Sequence, residues 1–250
     1  MSESKYFKFT NSVVIAPLVG VILIWMVFWL ELQLHANFNE YGVCPRTLKG
    51  LRGVFLSPFI HGSVEHLYNN TMPLAILTAS LFYFYRDIAM KVLVYGLLFS
   101  GLFTWSIGRD SYHIGASGMI YVLASFIFFE GVFSKYYRLV ALSLVVVFIY
   151  GSLLWYVFPI EDGISWEGHL GGFVAGLLLA FFMKAETPSP KKFDWEHEDY
   201  NGEADEFLKH FDEDGNFIET KPEVMEQLAK PTVQVTYHYR AKDEGDVAKD

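Results

Sequence analysis

The sequence predicts an all-α membrane protein: a bundle of six transmembrane helices followed by an acidic tail. Hydrophobic residues make up 52% of the chain, and they form blocks rather than the even spread of a soluble core. With flanking residues or a smaller tilt, each block is long enough to cross about 30 Å of hydrocarbon as a helix. The blocks without Asp, Glu, Lys or Arg are Asn11 to Leu30, Leu67 to Tyr85, Val92 to Gly108, Ile114 to Phe129, Leu139 to Ile160 and His169 to Met183.

The first block is interpreted as a helix of the mature protein. It is too long for the apolar region of a secretory signal peptide and lacks a small-residue cleavage site. A cleaved signal peptide is the alternative. The only cysteine, Cys44, excludes an intrachain disulfide framework and a multi-cysteine metal site.

The acidity of the chain lies in its C-terminal region. From Glu186 onward there are 18 acidic and 8 basic residues, whereas residues 1–185 carry a net charge of about +1. Low hydrophobicity with high charge predicts a mostly disordered segment, and Pro188 and Pro190 mark its start. The predicted regions are a cytoplasmic N-terminus (1–10), a six-helix intramembrane domain (11–185) and an acidic cytoplasmic tail (186–250).

Two short patterns in the tail are compatible with local structure. Glu203 to Phe211 is weakly helical, and Val233 to Tyr239 alternates like a strand. Acidic residues near Asp212 partly match a calcium-binding loop, but Phe217 stands where the sharp turn requires glycine. We therefore do not expect a calcium site.

Basic residues orient the predicted bundle. With the N-terminus inside, nine Lys and Arg residues flank the helices on the inner side and four lie on the outer side. The positive-inside rule then places both termini in the cytoplasm, and we expect a bacterial inner membrane. The inner residues are Lys5, Lys8, Arg86, Lys91, Lys135, Arg138, Lys184, Lys191 and Lys192; the outer residues are Arg46, Lys49, Arg52 and Arg109.

Four polar residues are expected at one depth, near the outer ends of the second, fourth and sixth helices: His66, Asn70, Ser117 and His169. Polar groups inside a bilayer are costly and are usually functional or bonded to each other. Ser117 is the candidate nucleophile and His169 the base that accepts its proton. His66 and Asn70 share a helix face and, with the Ser117 backbone N–H, are candidate donors to an oxyanion.

The predicted base has no carboxylate beside it at membrane depth. Asp110, Glu161, Asp162 and Glu167 are assigned to outer loops, and Glu130 to the opposite end of its helix. Tyr121, one turn below Ser117, is therefore expected to stack on His169.

Small residues are expected to bring the fourth and sixth helices close together. Gly115 and Gly118 keep one helix slim, and Gly172 and Gly176 share a stripe with His169 on the other. His61 is expected to support the site by bonding a loop or a helix end.

Other functions remain open from the residues alone. Membrane Ser, His and Asn often only bond neighbouring helices, and His61, His66 and His169 are an alternative metal set. A transporter would show an internal repeat or a polar path reaching both faces, whereas here the polar residues cluster at one end.

The chain resembles the rhomboid family of intramembrane serine proteases. The resemblance covers roughly residues 10–185 and implies a six-helix core, a Ser117–His169 dyad and an oxyanion hole with His66 and Asn70. It also implies single-pass membrane proteins as substrates. We expect no cofactor and no nucleic acid partner. A catalytically silent relative that escorts membrane proteins is the alternative. The matching motifs are His61 to Asn70 (H-x4-H-x3-N), Gly115 to Gly118 (GxSG) with Tyr121, and Gly168 to Gly176 around His169.

Overall fold

The structure is a computed structural model that describes residues 6–160, 163–188, 193–202, 205, 207–212 and 214–218. The chain divides into two units, residues 1–189 and residues 190–250. The named elements of the described residues are all helical. The α-helices are α1 (Ser12–Leu34), α2 (Gly53–Leu56), α3 (Val64–Phe84), α4 (Ala89–Ile107), α5 (Ser117–Ser134), α6 (Tyr137–Tyr150) and α7 (Trp166–Phe182).

Short 3-10 helices connect the α-helices of the first unit. One of them continues α6 without a break and brings the chain back toward α7. An isolated antiparallel bridge between Val43 and His113 joins the segment after α1 to the segment before α5. The 3-10 helices are Asn39–Tyr41, Lys49–Arg52, Ser57–Phe59 and Gly151–Val157.

Among the described residues, four helices have the length and composition needed to cross a membrane, which confirms an all-helical integral membrane protein. They are α1, α4, α5, and α6 with its 3-10 extension. Helix α7 is apolar but has only 17 residues, and α3 begins with a polar turn that includes Glu65 and His66. The count of six spans therefore stays a prediction.

Helix α5 is the centre of the bundle. It packs most extensively against α7 and also contacts α3, α4 and α6, whereas α1 packs mainly on α3. Most of its side chains are buried, as in a helix surrounded by others rather than by lipid, and its C-terminal end exposes Val132 and Phe133. The exposed faces of α1 and α6 carry large apolar side chains that would otherwise face water.

Helices α3, α4, α6 and α7 begin two or three residues earlier than the charge-free blocks predict, and serine caps two of them. Ser63 caps α3 by accepting the backbone N–H of His66, and Ser165 caps α7 by accepting that of Gly168. Serine at such positions satisfies an N–H group that lacks a partner inside the helix. The outer-loop assignment of Glu167 is therefore wrong, because this residue lies in the first turn of α7 and is 1% exposed.

The fifth predicted span is not one regular helix. The α-helical part ends at Tyr150, and Gly151–Val157 winds as a 3-10 helix. A 3-10 helix bonds residues three apart instead of four, so its carbonyl groups point in directions that differ from those of an α-helix. As described below, two of these carbonyls accept hydrogen bonds from the site.

The C-terminal end of α7 is tied to α5. Glu130 is buried, and its Oε1 accepts the backbone N–H of Ala185 at 2.9 Å. The next residue, Glu186, donates its N–H to the Asp87 carboxylate at 3.2 Å. These bonds fix the chain just after α7.

The described residues of the second unit contain short 3-10 helices at Asp194–Glu196 and Leu208–His210. Phe211 and Phe217 form an isolated bridge, and Asp212 accepts the backbone N–H groups of Asp214 and Asn216. The helical pattern from Glu203 to Phe211 lies partly outside the described residues. The strand-like run from Val233 to Tyr239 lies wholly outside them.

Candidate active site

Ser117 is the first residue of α5, and the turn before it is held on both sides. Gly115 has a φ of +107°, a conformation that residues with a Cβ rarely adopt. Its N–H donates to the Ser57 carbonyl at 2.9 Å, and the next N–H, that of Ala116, donates to His61 Nε2 at 3.3 Å. The turn therefore delivers Ser117 at a helix N-terminus, where backbone N–H groups lack intrahelical partners.

His169 stands next to the serine. Its Nε2 lies 2.9 Å from Ser117 Oγ, and its Nδ1 lies 2.9 Å from the carbonyl oxygen of Tyr156. A carbonyl can only accept, so Nδ1 carries the proton and Nε2 is free to accept the serine hydroxyl proton. The ring is 8% exposed. This tautomer is the one that a general base requires.

Tyr121 packs against the ring of His169. The two rings stack with centroids 4.3 Å apart and planes 15° from parallel. The Tyr121 hydroxyl donates to the Leu153 carbonyl at 2.6 Å. Stacking and this hydrogen bond together connect α5, α7 and the 3-10 segment after α6.

Glycines allow α5 and α7 to approach closely enough for this contact. A Cβ at Gly172 would overlap the Gly118 carbonyl, and a Cβ at Gly176 would overlap the Val122 carbonyl and the Ser125 hydroxyl. The Ser125 hydroxyl uses the space to donate to the Phe173 carbonyl at 3.0 Å. The glycine stripe therefore serves interhelical packing.

His66 and Asn70 project from α3 toward the same turn. A Cβ at Gly115 would lie 2.6 Å from His66 Cε1 and 3.6 Å from Asn70 Nδ2. Asn70 is 5% exposed, and its Nδ2 has no hydrogen-bond partner among the described residues. A buried donor without an acceptor costs free energy, so this amide is available to a ligand oxygen.

His61 lies behind the turn and is fully buried. Burial, with a smaller contribution from the nearby His66 ring, lowers its pKa from 6.5 to about 4. The ring therefore stays neutral near pH 7, as it must to accept the Ala116 N–H. Its ring centroid is 5.0 Å from that of His66.

The polar groups line an open cavity of about 1220 Å³. Its walls come from the start of α3, the loop before α5, the 3-10 segment after α6 and the start of α7. Such a volume exceeds that of a single side chain and can admit an extended peptide segment. The lining includes His66, Asn70, Ser117, Tyr121, Tyr156 and His169.

Within the described residues, no group of three or more His, Cys, Asp or Glu side chains is arranged to hold a metal ion. The alternative metal set of His61, His66 and His169 is accordingly not brought together. His61 and His66 contact edge to face instead, and His169 turns to Ser117.

Sequence reasoning missed three groups near the site. The Tyr156 and Leu153 carbonyls belong to the main chain and have no signature in the sequence. The third group is His113, which is 4% exposed and whose Nδ1 lies 2.6 Å from the Ser165 hydroxyl. Its position four residues before Ser117 was the available signal.

Comparison with known proteins gives the family. A family model described as Rhomboid domain matches residues 49–186. Uncharacterized proteins of Mycobacterium tuberculosis and Mycobacterium bovis are 32% identical over 179 residues, 67% of this chain and 74% of theirs. An uncharacterized protein of Mycobacterium leprae is 28% identical over the same length. The chain belongs to the rhomboid family, whose members are in general intramembrane serine proteases.

Proposed function

We propose that the protein is an intramembrane serine endopeptidase. The observation that carries the proposal is the 2.9 Å contact between Ser117 Oγ and His169 Nε2, with His169 Nδ1 engaged by the Tyr156 carbonyl. A serine hydroxyl is a weak nucleophile until a base accepts its proton. This pair has the geometry and the tautomer to do so.

In the proposed reaction, Ser117 Oγ attacks the scissile carbonyl carbon while its proton passes to His169 Nε2. The carbonyl oxygen becomes an oxyanion, and His169 then donates the proton to the leaving amine as the peptide bond breaks. Water attacks the resulting acyl-enzyme with His169 again as base, which releases the acid product and restores Ser117.

Three groups are proposed to stabilise the oxyanion: the Asn70 amide, a ring N–H of His66 and the backbone N–H of Ser117. Their support is the orientation of His66 and Asn70 toward Gly115, together with the unpaired Asn70 Nδ2. Fixed donors in a site of low dielectric lower the barrier because they need no reorganisation. His61 and Tyr121 are proposed to hold the serine turn and the base.

The proposed substrates are single-pass transmembrane proteins. The cavity is bounded by α3 on one side and by the 3-10 segment after α6 on the other, and α6 packs mainly against α5. A substrate segment must unwind before its carbonyl can reach Ser117, because a helix engages its own backbone groups. The distribution of basic residues supports a bacterial inner membrane with both termini in the cytoplasm, where the tail would be available to a soluble partner.

The test uses the full chain purified in detergent and a single-pass transmembrane substrate. A fluorophosphonate should attach to Ser117, as located by mass spectrometry. Ser117→Ala and His169→Ala should each reduce cleavage at least about a thousand-fold, since the members of such a pair act as a unit. Ser80→Ala is the matched control, because Ser80 is a half-buried serine on α3 whose hydroxyl donates to the Ile76 carbonyl of its own helix.

Folded wild-type protein that neither cleaves nor takes up the probe would make this chain a silent member of its family. Retained cleavage in folded Ser117→Ala would contradict the proposed nucleophile.

A further inference from the structure

A buried carboxylate lies close to the dyad but does not touch it. Glu167 is in the first turn of α7, two residues before His169, and its Oε1 accepts the backbone N–H of Arg109 at 3.1 Å. The Arg109 Nε is 3.8 Å from the same oxygen, and Arg109 Nη2 donates to the Ile164 carbonyl at 2.6 Å. Arg109 therefore binds both the carboxylate and the chain that leads into α7.

A second set of bonds joins the same two segments. Ser165 Oγ accepts the Gly168 N–H and lies 2.6 Å from His113 Nδ1, while His113 Nε2 lies 3.1 Å from the Arg109 carbonyl. One neutral tautomer satisfies every bond: Nε2–H donates to the carbonyl, and Nδ1 accepts from the serine hydroxyl.

These bonds form a clamp, which we define as Arg109, His113, Ser165 and Glu167. One side of the clamp leads into Ser117 four residues after His113, and the other leads into His169 two residues after Glu167. The separation of the Ser117 and His169 side chains depends on how these two segments are held. A misplacement of about 1 Å can reduce turnover 100-fold.

We infer that Glu167 is a positioning residue that sets the Ser117–His169 distance by holding the Arg109 main chain and guanidinium. The inference rests on the proposed function. Glu167 does not itself line the cavity, but its bonding partner Arg109 does, so we expect its effect on the reaction to pass through the clamp.

A neighbouring ion pair provides a contrast. Asp110, the next residue in the loop, pairs with Arg46 at 2.6 Å, but the two side chains are 90% and 51% exposed. Exposed pairs contribute little, whereas removing one partner of a buried, hydrogen-bonded carboxylate leaves the other donors unsatisfied. Asp110 is therefore the matched control.

The experiment compares the full-length wild type with Glu167→Ala, Glu167→Gln, Arg109→Ala and Asp110→Ala in detergent. Cooperative thermal melts establish folding, and kcat and KM are measured on one transmembrane substrate. We expect Glu167→Ala to lower kcat about 10- to 100-fold and to leave KM within about two-fold, since ground-state binding is retained. Glu167→Gln should stay within about three-fold of the wild-type kcat, because its amide oxygen still accepts the Arg109 N–H.

Asp110→Ala should behave like the wild type. A folded Glu167→Ala with wild-type kcat overturns the inference, and so does a Glu167→Gln as slow as Glu167→Ala. If Glu167→Ala does not fold, Arg109→Ala decides: an unchanged kcat overturns the inference, and a several-fold lower kcat at constant KM supports it.

A spectroscopic measurement separates this inference from the proposed function. With ¹⁵N-labelled histidine, the Nε2 resonance of His169 reports its bond to Ser117 whether or not the protein turns over substrate. Glu167→Ala should move this resonance toward its position in Ser117→Ala, and Glu167→Gln should not. An unmoved resonance in folded Glu167→Ala overturns the inference even if the wild type proves inactive.

Discussion

Helices α5 and α6 are neighbours, and both are apolar enough to span a membrane, but their surroundings differ. Of the most apolar 18 residues, 56% are buried in α5 and only 17% in α6 with its 3-10 extension. Helix α5 is enclosed by α3, α4, α6 and α7, whereas α6 relies mainly on α5. The first is a core helix, and the second turns most of its surface outward.

This difference shows that apolarity does not distinguish a core helix from a lipid-facing one. The distinguishing residues are small or polar: Gly172 and Gly176 meet α5, and Ser125 bonds across to α7. The proposed dyad lies at the contact between α5 and α7, and the cavity beside it is also lined by Leu153 and Tyr156 of the 3-10 segment after α6. Under the proposed function, the closely packed pair α5 and α7 would hold the reacting groups in place, and the side near the 3-10 segment would admit the substrate.

After loss of the dyad itself, the largest effect should come from the two donors that α3 directs toward the turn before Ser117. Asn70→Ala and His66→Ala should each lower turnover about 10²- to 10³-fold, the usual consequence of losing one oxyanion donor. Labelling of Ser117 by a fluorophosphonate should persist, because the nucleophile and base remain. Thr71→Ala is the control, since Thr71 is adjacent in sequence but bonds Trp25 of α1. Wild-type turnover in folded Asn70→Ala would make that amide structural.

Acid should destabilise the folded protein through His61. Its folded-state pKa, about 4, lies below the ordinary 6.5, so below pH 6.5 the unfolded chain binds a proton that the folded protein does not. The resulting stability is complete above pH 6.5 and is lost as the pH falls toward 4, on the order of 3 kcal/mol in all. Thermal unfolding across this range should show a weaker pH dependence in His61→Gln. Parallel curves for the two proteins would contradict the assignment.

The packing of α7 and of α1 can be compared by adding one methyl group to a glycine of each helix. Gly176→Ala should destabilise the protein by about 1–3 kcal/mol, because the new Cβ has no space against α5. Gly20→Ala on α1 should be neutral or stabilising, because its Cβ would meet only a Leu74 methyl at 3.9 Å and alanine favours the helix. Melting temperatures of the two purified variants measure the contrast. Equal losses would mean that both helices are packed alike.

The smallest effect is expected from the acidic tail. Truncation after Lys192 keeps the Glu130–Ala185 tie and the basic residues that follow α7. It should change the cleavage rate in detergent by only a few-fold, under about 1 kcal/mol in barrier. Loss of activity comparable to Ser117→Ala in a folded truncated protein would make the tail part of the catalytic unit.

The fold was predictable because charge-free blocks indicate membrane helices irrespective of partners. Helix starts were less predictable: Glu167 was assigned to a loop, although it lies in the first turn of α7, which Ser165 caps. A carboxylate is buried in the first turn of a helix only when it has a partner, and the partner of Glu167 is Arg109. That partner is distant in sequence.

The proximity of Ser117 and His169 was predictable from depth and glycine placement, although their catalytic roles stay predictions. The orienting group on Nδ1 was not predictable. It depends on the 3-10 winding of Gly151–Val157, and nothing in an apolar run distinguishes 3-10 from α-helical winding at its end.

The Tyr156 carbonyl has a consequence for comparing relatives of this protein. Every residue type supplies a main-chain oxygen, so no replacement at position 156 deletes the partner of His169 outright. A search that recognises inactive relatives by the loss of a triad carboxylate has no such residue to inspect in this protein, because the partner of His169 is a main-chain oxygen. Under the proposed mechanism, loss of activity in a relative would be recognised at positions 66, 70, 117 and 169, or in insertions that shift the segment between Gly151 and Val157.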